Sequence, residues 1–386
     1  MAFLNGRVSF VRFAVEHQAE GPLGMETIEK LETNTIGRYG FGEAQDGVSI
    51  GFNGGRHLLD SEISFENNIY DETLHIGMRF DVDKIPANIL KAYTEIEIKA
   101  LAAGNPSGFP TKQQKEEAKE MALAKAQAEA ADGRYKRMSM NPLLWDLSSH
   151  TLYCSATSAN ILDRVGPLFR DTFNAETHLI TAGRLAEALA GKFGLTMPGD
   201  DPARFTVFAD GHDAGTVSWA NPESQLPDVL GNEFLIWLWH RLATSGDTIP
   251  LADGTDVTVM MTRTLQLDCP KGETGRDQLN DVGPARMPEA MKALQSGKLP
   301  RKAGLILVRH DQQYEMTLQA ESFAVGSAAL PRLEGCSGRE SILARIEQIR
   351  HMTDTLDLLY AAFLQSRLGQ GWSSNVGEIR NWLKVA

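Results

Sequence analysis

Residues 141–173, NPLLWDLSSHTLYCSATSANILDRVGPLFRDTF, change their hydrophobic period partway along. The first half alternates around a polar turn, which predicts strand, tight turn and strand over 143–154. From Ser158 onward, Ile161, Leu162, Val165, Leu168, Phe169 and Phe173 fall on one face of a helix. Pro167 inside that helix predicts a kink. Residues 297–314, GKLPRKAGLILVRHDQQY, make a basic lead-in to an apolar strand, with a hairpin expected from 305–309 and 314–319. Strands and helices mix along the chain without regular βαβ alternation, so the expected class is α+β with mixed or antiparallel sheets.

Composition narrows the class further. The 386 residues allow two or three domains, and 42% hydrophobic with 23% charged content suits a globular protein with a buried core. The longest apolar runs, such as 234–239, are too short to span a bilayer, and no membrane partner is expected. The opening MAFLNGRVSFVRFAVEH has no long apolar stretch after a basic start, so it reads as a first strand rather than a signal peptide. Cys154, Cys269 and Cys336 are few, odd in number and far apart. That pattern argues against a disulfide framework or a zinc site and for a cytosolic chain with reduced thiols.

Along the chain, 7–15 alternates as a strand. The glycines between 37 and 55 separate short strands such as 48–52; no Walker lysine follows to make them a phosphate loop. Another strand is expected at 74–81. Ile85, Ile89, Tyr93, Ile96 and Ala100 then form a helical stripe, and 103–111 breaks it. Thr111 is placed to cap a second helix, 112–131, rich in alanine, lysine and glutamate. With little to bury, that helix is expected to project as the second arm of a hairpin. A strand is expected near 205–208, a loop over 270–287, and a short helix at 288–296. FLIWLWHRLA, within a helix at 232–243, is apolar nearly all round and must be buried or packed at a subunit interface. Ile342, Ile346, Ile349, Leu356, Leu359 and Phe363 mark a long C-terminal helix, whose seam suits an internal face or a coiled-coil dimer. The expected parts are 1–83 (acidic, β-rich), 84–137 (helical hairpin), 138–200, 201–335 and 336–386.

A net charge of −12 on its own speaks against nucleic acid, which needs lysine and arginine at its phosphates. Yet residues 16–83 hold 14 acidic and 4 basic side chains, a balance of −10, which leaves −2 for the rest. Two basic clusters stand out in that remainder. Lys112, Lys115, Lys119 and Lys125 share roughly one helical face, followed by Arg134, Lys136 and Arg137; glutamates interleave with the helical lysines. Lys298, Arg301, Lys302 and Arg309 occupy a window, 297–310, free of acidic residues. Such point charges bind phosphates without reading bases. On local compensation, the second cluster is expected to be the stronger contact, a positive loop beside a strand.

Enzyme signatures are sparse. Glu97-Ile98-Lys99 matches the E-x-K of metal-dependent nucleases but falls in a helix, with Pro227-Asp228 downstream in the wrong order. Asp210-Gly211-His212-Asp213 reads as a turn before it reads as a ligand cluster. No metal, cofactor or catalytic constellation is expected. Trp237 and Trp239 offer base-stacking rings or core packing.

Several of these blocks resemble the RdgC family of bacterial recombination-associated DNA-binding proteins. The opening MAFLNGRVSFVRF looks like its first strand, and 84–101 with the lysine-rich helix is similar to its helical projection. NPLLWDLSSHTLYCSATSA and EAMKALQSGKLPRKAGLILV are similar to two further blocks. Lys298 and Lys302 match basic positions of the second, and Arg134 or Arg137 matches one before the tryptophan strand. Residues 103–111, the FLIWLWHRLA segment and the stretch past Gly335 depart from the pattern. The resemblance implies a horseshoe-like monomer whose two copies close into a ring around double-stranded DNA, restraining a RecA-type recombinase by occupying its substrate. It implies a nucleoid-associated, non-enzymatic homodimer, although the family has also been labelled an exonuclease. A metal-dependent exonuclease and a protein–protein adaptor without a DNA role are the alternatives.

Overall fold

The computed structural model describes residues 3–17, 23–36, 47–197, 217–220, 224–272, 275–333 and 335–385. In chain order the first half runs β1 (Val8–His17), α1 (Met25–Thr33), β2 (Val48–Asn53), α2 (Phe65–Asn68), β3 (Ile69–Tyr70), β4 (Thr73–Asp83), α3 (Ala87–Ala102) and α4 (Lys112–Ala131). Next come β5 (Lys136–Asp146), β6 (Thr151–Cys154), α5 (Ala159–Leu162), α6 (Val165–Phe173), β7 (Ala175–Leu179) and α7 (Ala182–Phe193). The second half holds α8 (Leu230–Thr244), β8 (Thr248–Pro250), β9 (Asp256–Asp268), β10 (Asp277–Asp281), α9 (Pro288–Gln295) and β11 (Leu299–Arg309). It ends with β12 (Gln312–Gln319), β13 (Val325–Ala329), α10 (Gly338–Arg367) and α11 (Trp372–Val385). The class is α+β, as expected, and its large sheet is antiparallel rather than mixed. The strand expected near 205–208 and the 210–213 motif lie outside the described residues, as does 37–46 of the glycine-rich run.

Contacts divide the chain into two units: Met1–Pro22, Tyr70–Leu74 and Pro142–Ala386 form one, Leu23–Ile69 and His75–Asn141 the other. The five expected parts therefore regroup. The hairpin joins most of the acidic segment, whereas the first strand leaves it, because β1 pairs with β6, β7 and β13, all distant in sequence.

In the first unit the strand order is β10-β9-β11-β12-β13-β1-β6-β5, with β7 added to β1 and β8 to β9. The expected loop at 270–287 thus contains an edge strand. β9 carries extra residues opposite β11, and Arg263 takes a left-handed φ of 62° there. A bulge of this kind brings backbones close: a Cβ on Gly304 would lie 2.0 Å from the Thr262 carbonyl oxygen. The α6 face packs Phe169 and Phe173 on Trp145, with ring centroids 5.6 and 5.1 Å away. The helix expected from Ser158 is two helices, broken at 163–164. Pro167 does not kink it; it sits in the first turn of α6, where its missing N–H costs no helical bond.

Every residue of α8 from Leu230 to Trp239 is buried, and Trp239 Nε1 donates to the Ala285 carbonyl at 3.0 Å. This corrects both the stacking role offered for Trp237 and Trp239 and the interface role offered for the helix: its apolar surface is spent inside its own unit. The α10 seam meets the same end. Ile346, Ile349, Leu356, Leu359 and Phe363 are buried in one core with Phe234 and Leu305. Asp146, fully buried in the β5–β6 turn, accepts from Arg350 Nε and Nη2 at 2.8 Å and from the Ser148 and Ser149 hydroxyls. Burial alone would raise its pKa; the bonds from Arg350 and the serines outweigh that and hold it below the ordinary carboxylate value.

In the second unit β2 pairs with β4. His75 on β4 is fully buried and neither ring nitrogen has a hydrogen-bond partner. Desolvation, with a smaller push from Arg56, lowers its pKa from 6.5 to about 4. The α3–α4 hairpin packs through Ala118, Ala122 and Ala126, all at 0% exposure. The expectation that α4 has little to bury is corrected: small side chains at every fourth position let the two backbones approach. Of the predicted stripe, Ile85, Ile89 and Tyr93 are half-buried, as are Leu90, Thr94, Ile98 and Leu101, whereas Ile96 (56% exposed) and Ala100 face outward.

Acid should therefore act in two windows. An unfolded histidine binds a proton near pH 6.5 and buried His75 only near 4, so its contribution is complete above 6.5. It is lost as pH falls towards 4, to the extent of about 3 kcal/mol. The Asp146 contribution is complete above the unfolded carboxylate value and is lost only below about pH 4. Hydrogen exchange at stepped pH is expected to show β4 amides loosening before those of β6 and α10. In His75→Leu the first step should vanish; its persistence would show that another group titrates.

Candidate nucleic-acid interface

The four basic residues of the 297–310 window are not a free positive loop. Leu299 already begins β11, so Arg301, Lys302 and Arg309 are strand residues, and their acids come from elsewhere in the fold. Lys298 Nζ lies 2.6 Å from Asp277. Arg301 pairs with Glu321 at 2.8 Å and Asp268 at 3.5 Å, and its guanidinium stacks 4.4 Å from the Trp219 ring centre. Arg309 is 5% exposed and is held by Asp354 at 2.7 Å, by Asp253 and by the hydroxyls of Thr255 and Thr355. Only Lys302, half-buried, has no acidic partner among the described residues. The expectation that nothing neutralises this set is corrected. Its partners stand up to 56 residues away in sequence, out of reach of any local window.

The hairpin set behaves in the opposite way. Lys112 and Lys115 open α4, are exposed, and have no acidic partner among the described residues. Lys119 pairs with Glu116 at 2.9 Å, but both are largely exposed, and a pair of that kind is worth little. Lys125 leaves the basic face: its Nζ sits 4.3 Å over the Tyr93 ring. Arg134 is tied to Glu129 at 2.7 Å, and Lys136 to Asp81 at 3.1 Å beside the bidentate Arg79–Asp81 pair. Arg137 is exposed and has no acidic partner among the described residues.

Glu129 fastens the base of the hairpin. It accepts from Tyr135 and from Tyr93 at 2.8 Å, and these bonds hold its pKa below the ordinary value. The tip is equally well fixed. Thr111 Oγ1 accepts from the Gln114 N–H at 3.2 Å, and the Gln114 side chain accepts from the Thr111 N–H at 2.9 Å, closing a capping box at the cap expected from sequence. Asn105 Nδ2 donates to the Phe109 carbonyl at 2.7 Å. The loop so held presents Phe109 at 76% exposure.

Lys99, in the last turn of α3, completes the tip, and local compensation missed it. The signal was present: between Glu97 and Glu116 the sequence has three lysines and no acidic residue. The nine-residue break between the helices hid it, because the last turn of α3 and the first turn of α4 come to one end of the hairpin only once the chain reverses. Exposed lysines on the same hairpin end as an exposed aromatic ring can neutralise phosphates and offer an apolar contact, without any group placed to read base edges.

Glu97 and Lys99 sit on α3, the helix expected for them. Among the described residues no group of three or more His, Cys, Asp or Glu could hold a metal ion. No helix there is long and apolar enough to cross a membrane. The chain matches no family model and no curated protein.

The two basic sets should separate in stability. Replacing Lys99, Lys112 and Lys115 together by alanine is expected to leave the melting free energy within about 0.5 kcal/mol per site. Arg309→Ala, which removes a buried guanidinium bonded to Asp253, Asp354, Thr255 and Thr355, should cost more, roughly 1.5–3 kcal/mol. Denaturant unfolding measures both; a costly tip triple would mean those lysines are structural.

Proposed function

We propose that this protein binds double-stranded DNA without regard to sequence and thereby restrains RecA-type homologous recombination. The observation that carries the DNA half is the hairpin tip, with Lys99, Lys112, Lys115 and Phe109 all exposed and no acid from 98 to 115. Arg137 and Lys302 remain as further phosphate contacts. Lys298, Arg301, Arg309, Arg134 and Lys136 are held in ion pairs and contribute less. A chain of net charge −12 is repelled by DNA except where such a basic surface meets it, which favours one binding orientation. The effect on recombination, the association with the nucleoid and the closure of two horseshoe-like copies into a ring rest on the resemblance to the RdgC family. In this reading the homodimer closes through surfaces other than α8 and the α10 seam, since both are covered within the chain.

Duplex affinity is expected to fall steeply with salt, and unrelated sequences should compete equally. Each phosphate contact contributes about 0.9 to the slope of log affinity against log salt. The tip triple alanine variant should therefore flatten that slope by about 2.7, while Lys298→Ala with Arg301→Ala changes it less. A salt-independent affinity, or a greater loss from the strand pair, would overturn the assignment. DNA incubated with magnesium should be recovered intact; cleavage abolished by Glu97→Ala would put the exonuclease reading in its place. Sedimentation at micromolar protein is expected to show a dimer, and a monomer both with and without DNA rules out the ring.

A further inference from the structure

The β11–β12 turn is two residues long, His310 and Asp311, and both stand in the left-handed region with φ of 50° and 60°. Turns of this geometry favour Asn-Gly or Gly-Gly, because a side chain there costs about 1–2 kcal/mol. Strain of this sort gathers at binding sites. Here it carries the His310 ring against α10, where Nδ1 lies 3.3 Å from Nε2 of His351. The other nitrogen of His351, Nδ1, is 2.8 Å from the hydroxyl of Tyr314, and that hydroxyl also donates to Gln312 Oε1. The phenol has one proton and the amide oxygen can only accept, so His351 Nδ1 is the donor to Tyr314. In the neutral ring its Nε2 is then left with a bare lone pair, 3.3 Å from His310 Nδ1.

We propose that His310 Nδ1 and His351 Nε2 form a two-imidazole seat for a late first-row divalent cation such as Zn2+, Ni2+ or Cu2+. Ligand nitrogens 2.0–2.1 Å from a tetrahedral ion stand about 3.3 Å apart, the separation already found between these two. Imidazole suits these ions. A ligating histidine usually gives its other N–H to a fixed acceptor, the part Tyr314 plays here. Metal ligation also needs a neutral ring. Burial, Arg309 and His310 together hold the His351 pKa below the ordinary histidine value, against a smaller upward pull from Asp354. Arg309 is itself answered by Asp253 and Asp354, so its charge does not stand unopposed beside the seat. No third ligating side chain completes a cluster among the described residues, so water fills the remaining positions and the ion is exchangeable.

Zinc chloride titrated calorimetrically into the intact chain is expected to fill one such site per chain, and magnesium none. His351→Ala should abolish it. His310→Asn keeps a residue that tolerates the left-handed turn and should weaken it more than tenfold by removing one ligand. Tyr314→Phe keeps the packing but frees Nδ1, and should weaken it about tenfold. Copper(II) bound to the unaltered chain should show two nitrogen ligands by electron paramagnetic resonance, and one in His310→Asn. Folded protein that takes up no zinc, or whose zinc affinity is unchanged in both histidine variants, overturns the proposal.

Discussion

The longest helix, α10, is held to its unit by arginine–carboxylate pairs, and the placement of the strands around it depends on them. Arg12 of β1, only 5% exposed, makes a two-point contact with Asp357 at 2.7 Å. Arg309 of β11 meets Asp354, Arg350 meets buried Asp146, and Arg367 meets Glu233 of α8 at 2.6 Å. Burying such ions costs several kcal/mol each, so the pairs add less to net stability than to choice of register. Rotating α10 by one residue would leave buried Arg12 and Asp146 without their countercharges, at roughly 3–5 kcal/mol apiece, an amount the Ser148 and Ser149 hydroxyls reduce for Asp146. Only one rotation turns the seam of Ile346, Ile349, Leu356 and Phe363 onto the core, and that rotation is the one the ions enforce.

The same economy explains where positive charge is left over. Arginines of the first unit serve mainly to hold elements together, and their guanidinium groups suit that work because a planar fork meets a carboxylate at two points. At the hairpin tip the basic residues are all lysines, strongly hydrated point charges on flexible stems, and they stay in water. No glutamate of α4 forms an ion pair with Lys112 or Lys115; Glu116 is engaged by Lys119, and Glu129 by two tyrosines and Arg134.

The alanine stripe makes that tip rigid at little cost. Ala118, Ala122 and Ala126 have no rotamers to lose, so close packing of α3 on α4 fixes the backbone without ordering long side chains. With Glu129 at one end and the Thr111–Gln114 box at the other, Lys99, Phe109, Lys112 and Lys115 are carried on a preorganised support. Preorganisation matters for a weakly charged surface, because little of its binding energy is then spent on ordering.

What the chain declares locally, it declares well. The β5–β6 hairpin, the β11–β12 hairpin, the Thr111 cap and the apolar stripes of α6 and α10 were all legible, since periodicity and capping depend on residues a few positions apart. Tertiary structure alone decided which apolar helices were core: the pattern of α8 requires burial but does not name the partner, and Phe234 finds Tyr360 126 positions on. It decided the units as well, because β1 pairs with strands distant along the chain. Above all it decided charge. Lys298, Arg301 and Arg309 look unopposed in a fourteen-residue window and are opposed in space, whereas Lys99 and Lys112 look separate and share one tip. Electrostatic compensation follows distance through the fold, and sequence separation stands in for that distance only within a single helix or turn.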